Sequence, residues 1–280
     1  MNSATIKLFL PFGDPNRLRT AEISNWSGKA VAAPRTDLED VLKREEAEKA
    51  GVYLLLGTDP ETGKPAVYVG EAEVVRDRLK QHKEKEFWVS VVFYVSKDEN
   101  LTKAHVRYLE GRLIDEAGKV GRYALQNSQS GGSKLPESDR EDMEVFLSRI
   151  RQLLPVLGSD VLLAIGRVDQ QQKASPLICK IKGATGRGLR TANGFVVFKG
   201  STAVEQERPS AEKQYPFVVT LRKKLLAEGT LVARDGLLVF IKDVEFTSPS
   251  TAAAVIHGGS ANGLICWKDA TGRTLKEIEA

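Results

Sequence analysis

The 280-residue sequence predicts an α+β protein: a small, mostly antiparallel three-stranded sheet flanked by helices, followed by a second small α+β domain. Three observations carry this expectation. Two short apolar runs, Val52 to Leu56 and Ala66 to Val69, bracket the turn-dense segment Asp59-Pro60-Glu61-Thr62-Gly63-Lys64-Pro65, so they read as a hairpin with a longish loop. After them, helical spacing alternates with one more apolar strand. Beyond a Ser- and Gly-rich stretch, Asn127 to Pro136, the texture changes to short strands and turns.

The elements follow in order. Ile6 to Leu10 reads as a strand ended by the turn Gly13-Asp14-Pro15. Thr36-Asp37-Leu38-Glu39 has the form of a capping box opening a short helix toward Lys49. The hairpin comes next, then a helix with Val74, Val75, Arg78, Leu79 and His82 at helical spacing. Phe87 to Val95 is the third strand, and Leu101-Thr102 opens a longer helix carrying Val106, Leu109, Leu113 and Ile114 on one side. Ser138 is placed to cap a helix bearing Met143, Phe146, Leu147, Ile150 and Leu153-Leu154, ended by Pro155 and Gly158. Strands are then expected at Leu177 to Ile181, Phe195 to Lys199, Leu237 to Ile241 and Gly263 to Lys268, with helices near Phe217 to Glu228 and Thr251 to Ile256. The domain reading is an N-terminal extension over 1–50, a first domain over 51–128, a linker and connecting helix over 129–160, and a second domain over 161–280.

Composition narrows the function classes. Apolar residues at 41% and charged residues at 28% are ordinary globular values. The longest apolar run, Trp88 to Val95, is far short of the ~18 residues a membrane helix needs, and Pro11 interrupts the short apolar start, so neither a membrane span nor a secretory signal is expected. Two distant cysteines and three histidines exclude a disulfide framework and a Cys- or His-built metal cluster. A reducing, cytoplasmic setting is the simple reading. The net charge of +4 is mild but unevenly placed: residues 151–200 hold eight Lys and Arg against two Asp, while 1–150 hold 23 against 25. That segment is either a solvated surface or a polyanion contact.

Individual residues sharpen the picture. Tyr53 and Tyr68 stand on the two strands of one hairpin, where two phenols can share a face; each by itself is an ordinary strand residue. Gly51 and Gly70 mark strand ends where close backbone approach or an unusual φ is allowed. Arg78 and His82 are i and i+4 on one helix face, a surface pair unless something recruits them. Glu110 falls on the stripe Val106, Glu110, Leu113, Ala117, so its carboxylate sits at the margin of a packing face; that is costly without a salt bridge or a bound cation. Asn127 ends the region, in a position typical of turn chemistry.

In this order, Gly51-Val52-Tyr53, Tyr68-Val69-Gly70, Arg78, His82, Glu110 and Asn127 resemble the GIY-YIG nuclease family over about residues 51–128. The Arg and the His stand eight and twelve residues after Gly70, and Val replaces Ile in both triplets. The resemblance implies a metal-dependent endonuclease acting on DNA, in a restriction, phage-defence, mobile-element or repair context. It implies Glu110 as holder of one divalent cation, Mg²⁺ or Mn²⁺. Tyr53 would be general base or water-positioning phenol, Tyr68 its partner near the scissile phosphate, and Arg78 the clamp on phosphoryl charge. His82 would assist proton transfer or position the base, and Asn127 would fix the helix-to-linker turn or a phosphate. A phenol near its ordinary pKa of ~10 is a poor base unless a cation lowers it. The other reading is a nucleic-acid-binding module with little or no cleavage.

Residues 194–201, 246–253 and 262–268 resemble a small C-terminal domain of unassigned activity that follows GIY-YIG modules and is similar to domains associated with restriction enzymes and adenine methylases. The resemblance implies DNA recognition or a protein partner. The basic segment points to DNA, through Lys180, Lys182, Arg187 and Arg190 around a Gly-rich turn from Gly183 to Gly188. His257 has no nucleophile near it in sequence, and Trp267 reads as a small-core filler.

Overall fold

An apolar run without alternation, such as Val52 to Leu56, must be covered on both faces of its sheet. A computed structural model describes residues 3–127, 132–163, 175–209 and 211–280 and divides into two units, Met1–Leu163 and Ala164–Ala280. Both are α+β, with antiparallel sheets flanked by helices. No helix among the described residues is long and apolar enough to cross a membrane.

The first unit runs β1 (Ile6–Phe9), β2 (Arg19–Ile23), β3 (Gly28–Pro34), α1 (Leu38–Leu42), β4 (Gly51–Thr58), β5 (Pro65–Ala72), α2 (Val75–Gln81), β6 (Trp88–Ser96), α3 (Lys103–Val120), β7 (Ala124–Leu125) and α4 (Glu137–Val156). Its sheet has seven strands, not three, in the order β1-β2-β3-β6-β4-β5-β7. Residues 1–50 supply three of them: β3 pairs with β6 from Gly28↔Ser96 to Pro34↔Ser90, and β2 and β1 follow outward. The first of these, β1, is the strand expected at Ile6 to Leu10, whereas β2 and β3 are rich in Ala and charge and weak in β-formers, which is why local propensity passes over those two. They are strands because β6 offers a free edge to pair with.

Two cores lie on the two faces. Val52, Leu54, Val67, Val69, Val92 and Tyr94 pack under α3 and α4 with Val106, Leu109, Leu113, Phe146 and Leu147. Tyr53, Leu55, Val31, Val91 and Phe93 pack on the other face with Leu38, Val41, Val75, Leu79 and Trp88. The helix α4 is therefore part of this core, and residues 137–156 belong to the first unit.

Local details differ from the sequence reading in two places. Thr36 caps nothing. Asp37 instead accepts from the Leu18 amide at 2.9 Å and pairs with Arg17, Glu39 is drawn to Lys83, and the helix stops at Leu42 before a 3₁₀ turn, Glu45–Glu48. Ser138 likewise gives up the cap, bonding Asp139 while Pro136 takes the N-cap position. By contrast Thr102 does cap α3, accepting from the His105 amide while the His105 ring accepts from the Thr102 amide.

The second unit holds β8 (Leu177–Ile181), β9 (Ala184–Thr191), β10 (Gly194–Val197), β11 (Thr202–Val204), α5 (Ala211–Gln214), α6 (Pro216–Ala227), β12 (Leu231–Arg234), β13 (Leu237–Phe240), β14 (Val244–Phe246), α7 (Pro249–His257), α8 (Gly263–Cys266) and α9 (Leu275–Ile278). A four-stranded sheet, β14-β10-β9-β8, and a three-stranded one, β11-β13-β12, enclose α7, whose Ala252 to His257 are all buried. The expected strand Gly263 to Lys268 is a helical turn. The Asn262 side chain accepts from the Leu264 amide, and a Cβ at Gly263 would overlap the Pro249 backbone. Trp267 fills the core beside Phe195 and donates to the Pro249 carbonyl.

Candidate active site

The register places the phenols. Tyr53 on β4 lies opposite Gly70 on β5, and Leu55 opposite Tyr68, so both tyrosines point to the α2 face with ring centroids 6.2 Å apart. Gly70 is required by space rather than by φ. A Cβ there would overlap the ring carbon and hydroxyl of Tyr53, which lies flat across the neighbouring strand.

His82 closes α2 at its C-cap. Its Nε2 lies 2.8 Å from the Tyr53 hydroxyl, its ring 5.0 Å from that of Tyr68, and its backbone carbonyl accepts from the Trp88 indole. Tyr53 and His82 are both buried, whereas Tyr68 is half-buried and Arg78 exposed. Burial, with Tyr68 adding to it, pushes the Tyr53 pKa well up, and Arg78 opposes only in part. Burial, then Lys85 and Arg78, push His82 down to about 4. At neutral pH a protonated phenol therefore faces a neutral imidazole. With the ring proton on Nδ1, the phenol donates to Nε2. The cation-lowered phenol that a resting base requires is not found here; desolvation outweighs the guanidinium.

Glu110 approaches from the other face of the sheet, on α3, and it meets the tyrosines around the outer edge of β5. Among the described residues β7 pairs with β5 only at Ala66 and Val67, which leaves the edge beside Gly70 and Glu71 open. The Glu110 carboxyl is half-buried and held above its ordinary range by burial and by the neighbouring Glu71 carboxylate, with Arg107, Arg78 and the Glu71 amide opposing. It makes no ion pair among the described residues. Asn127 holds the same edge: its side-chain oxygen accepts from the Val69 amide at 3.1 Å and its NH₂ donates to the Val69 carbonyl at 2.6 Å. Both ends of that amide bond the Val69 backbone, so Asn127 positions β5.

Two residues near the site escaped the sequence reading. Glu71 follows Gly70 directly, yet its relation to Glu110 depends on the packing of α3 against β5. Lys85 looks like one of several solvated lysines in Lys83-Glu84-Lys85, but its ammonium lies 4.1 Å above the Tyr68 ring centroid. A cleft of about 630 Å³ lies elsewhere on this unit, lined by Glu45, Glu48, Lys49, Glu73 and Glu99. Its charges are largely matched, Lys49 with Glu99, Arg76 with Glu48 and Lys103 with Glu73, and its acidic character disfavours a polyanion.

In the second unit the four expected basic contacts divide. The segment Gly183 to Gly188 is mostly strand β9, with the turn confined to Lys182 and Gly183, both at positive φ. Lys180 and Arg187 share one face of β8 and β9, through the pairs Lys180↔Thr185 and Ile178↔Arg187. Arg190 has the opposite parity, lies opposite Phe195, and is ion-paired to Glu279 at 3.1 Å. The buried Cys179 thiol and His257 Nε2 are 3.3 Å apart, but burial pushes the thiol up to about 12, so the pair is not an activated nucleophile.

Residues 177–279, which run from β8 to α9, match a family described as a domain of unknown function (DUF4357). No curated protein and no solved structure matches the chain.

Proposed function

We propose that the first unit is a divalent-metal-dependent endonuclease of the GIY-YIG kind, hydrolysing phosphodiester bonds in DNA. The observation that carries the reading is the convergence of Tyr53, Tyr68, Arg78, His82 and Glu110 around the open edge of β5 at Gly70, with the phenol–imidazole bond of 2.8 Å joining β4 to the end of α2. Phosphodiester hydrolysis needs an oriented water, a proton acceptor and neutralised phosphoryl charge.

Surface position divides the roles. Tyr68 and Arg78 are the groups a phosphate reaches, so Tyr68 orients the attacking water and Arg78 binds phosphoryl oxygens. Tyr53 and His82 lie behind them as a proton relay, the phenol passing its proton to Nε2 as it takes one from the direction of the water. No group of three or more His, Cys, Asp or Glu that could hold a metal is present among the described residues. Glu110 with Glu71 beside it suits a hard cation that keeps most of its waters, and Mg²⁺ is the ordinary choice for such a set. Burial and the Glu71 carboxylate hold the Glu110 pKa up despite Arg107 and Arg78, and a bound cation would favour its charged form. When bound, the cation would neutralise charge developing on the phosphate. In the second unit, Lys180, Lys182 and Arg187 are the proposed DNA contacts; a protein partner is the alternative for that domain.

The test is cleavage of single-stranded, duplex and branched DNA titrated with Mg²⁺. Glu110→Gln is expected to abolish cutting and leave DNA binding within a few-fold of wild type. Full activity in that variant would overturn the metal assignment. Wild-type binding without cutting under every metal condition would favour the non-cleaving module, a reading to which the complete burial of Tyr53 lends its one support.

A further inference from the structure

The loop between α2 and β6 carries a cation, Lys85, beside the tyrosine that faces solvent. Lys85 sits over the Tyr68 ring at 4.1 Å, and a cation over a phenol face gains about 0.5–2 kcal/mol depending on desolvation. The loop is fixed from below. Arg35 donates to the carbonyls of Lys83, Lys85 and Trp88 and stacks 4.5 Å from the Trp88 ring, whose indole holds the His82 carbonyl. The ammonium is thus presented by a backbone tied at three carbonyls, unlike the free end of a solvated lysine.

Its charge is also unanswered. Lys83, two residues away, is paired with Glu39, but among the described residues no carboxylate lies within ion-pair distance of Lys85. Arg78 likewise has no ion pair among the described residues; its guanidinium donates to the neutral Gln81 amide at 3.0 Å and is favoured at longer range by Glu71. Burial, then the Arg78 guanidinium, lower the Lys85 pKa. Two cations held beside one half-buried phenol, neither in an ion pair among the described residues, make a place that an anion would occupy favourably.

We propose that Lys85 joins Arg78 in a two-cation seat for DNA phosphate beside Tyr68, with Lys85 as a positioning residue that holds the backbone in register for the attack. The inference rests on the nuclease reading of this site but is tested apart from it, by binding. Fluorescence anisotropy with a short DNA duplex, over a range of salt and without metal, compares the full chain with Lys85→Ala, Lys85→Arg and Lys83→Ala. Lys85→Ala is expected to weaken binding about tenfold and to flatten the log–log salt slope by about 0.9, the loss of one duplex phosphate contact. Lys85→Arg should keep both values, and Lys83→Ala should change neither. In Mg²⁺, Lys85→Ala should raise KM more than it lowers kcat. An unchanged slope in Lys85→Ala, an equal loss in Lys83→Ala, or no duplex binding by the wild type overturns the seat. Wild-type binding with the expected Lys85 slope, but no cleavage in any metal, would leave the seat standing and remove the nuclease reading.

Discussion

Gly70 and Tyr53 depend on each other, because the space a side chain at 70 would need is filled by the phenol. Gly70→Ala is expected to cost about 1–3 kcal/mol, as overpacking in a buried site does, and to cut the cleavage rate by displacing Tyr53 from His82; urea unfolding and single-turnover kinetics check the two effects. Tyr53→Phe keeps the packing and removes only the hydroxyl. Its cleavage rate should fall by about 10²–10⁴, the usual loss for a proton-transfer group, with little change in melting temperature; a wild-type rate would take Tyr53 out of the relay. His82 gives a pH signature. Its folded pKa of about 4 lies below the ordinary ~6.5 of an unfolded His, so between those values the unfolded chain binds more protons. Stability should therefore rise with pH from about 4 to about 6.5 and level off above. Chemical denaturation of His82→Gln across that range should show a flatter profile.

At the scale of elements, the edge of β5 is where two faces of one sheet come within reach of each other. The strand is held there by a side chain in place of a further strand, since Asn127 repeats at Val69 the paired bonds a neighbouring backbone would make. Asn127→Ala leaves both Val69 groups to water or unpaired, with an expected loss of about 1–2 kcal/mol. The functional loss should follow the local one, with faster hydrogen exchange at Val69 accompanying a lower kcat. Asn127→Asp keeps the acceptor and removes the donor, so it should recover part of the protection. The hairpin loop Asp59 to Pro65 lies at the far end of the same strands, and changes there should leave cleavage unaltered.

For the whole molecule, the apolar face of α4 decides where the chain divides. Met143, Phe146, Leu147, Ile150, Leu153 and Leu154 complete the core of the first unit, and Trp26 stacks on Phe146 at 4.8 Å. A fragment ending at residue 163 is expected to fold cooperatively, whereas one ending at 135 exposes the surface α4 covers and should aggregate; size-exclusion chromatography and circular dichroism distinguish them. The 1–163 fragment should also bind DNA less tightly than the full chain. Charge reversal of Lys180, Lys182 and Arg187 together should reproduce that loss and flatten the salt slope. Arg190→Glu should cost little binding and some stability, because its partner is Glu279. Unchanged affinity in the triple variant would point the second unit toward a protein partner.

The local chemistry of the site was legible in the residues alone. The hairpin, the helix carrying Arg78 and His82 and the Thr102 start of α3 all rest on interactions within a few turns of chain, where pattern and propensity act. Gly70 was legible as a place of close approach, though not which atoms approach. What lay beyond the sequence depends on pairing between distant segments. The strands β2 and β3 exist because β6 has an edge to offer, Thr36 and Ser138 lose their caps to better-placed partners, and Gly263 to Cys266 turns helical against Pro249. Protonation is likewise a property of the assembled protein. Burial between sheet and helix raises Tyr53 and lowers His82, Glu71 meets Glu110 only across the β5 edge, and Lys85 is set apart from its neighbouring lysines only by the Tyr68 ring beneath it. Residue identity and spacing specify which groups are available; desolvation and long-range packing, which no local window contains, decide their charge and their company.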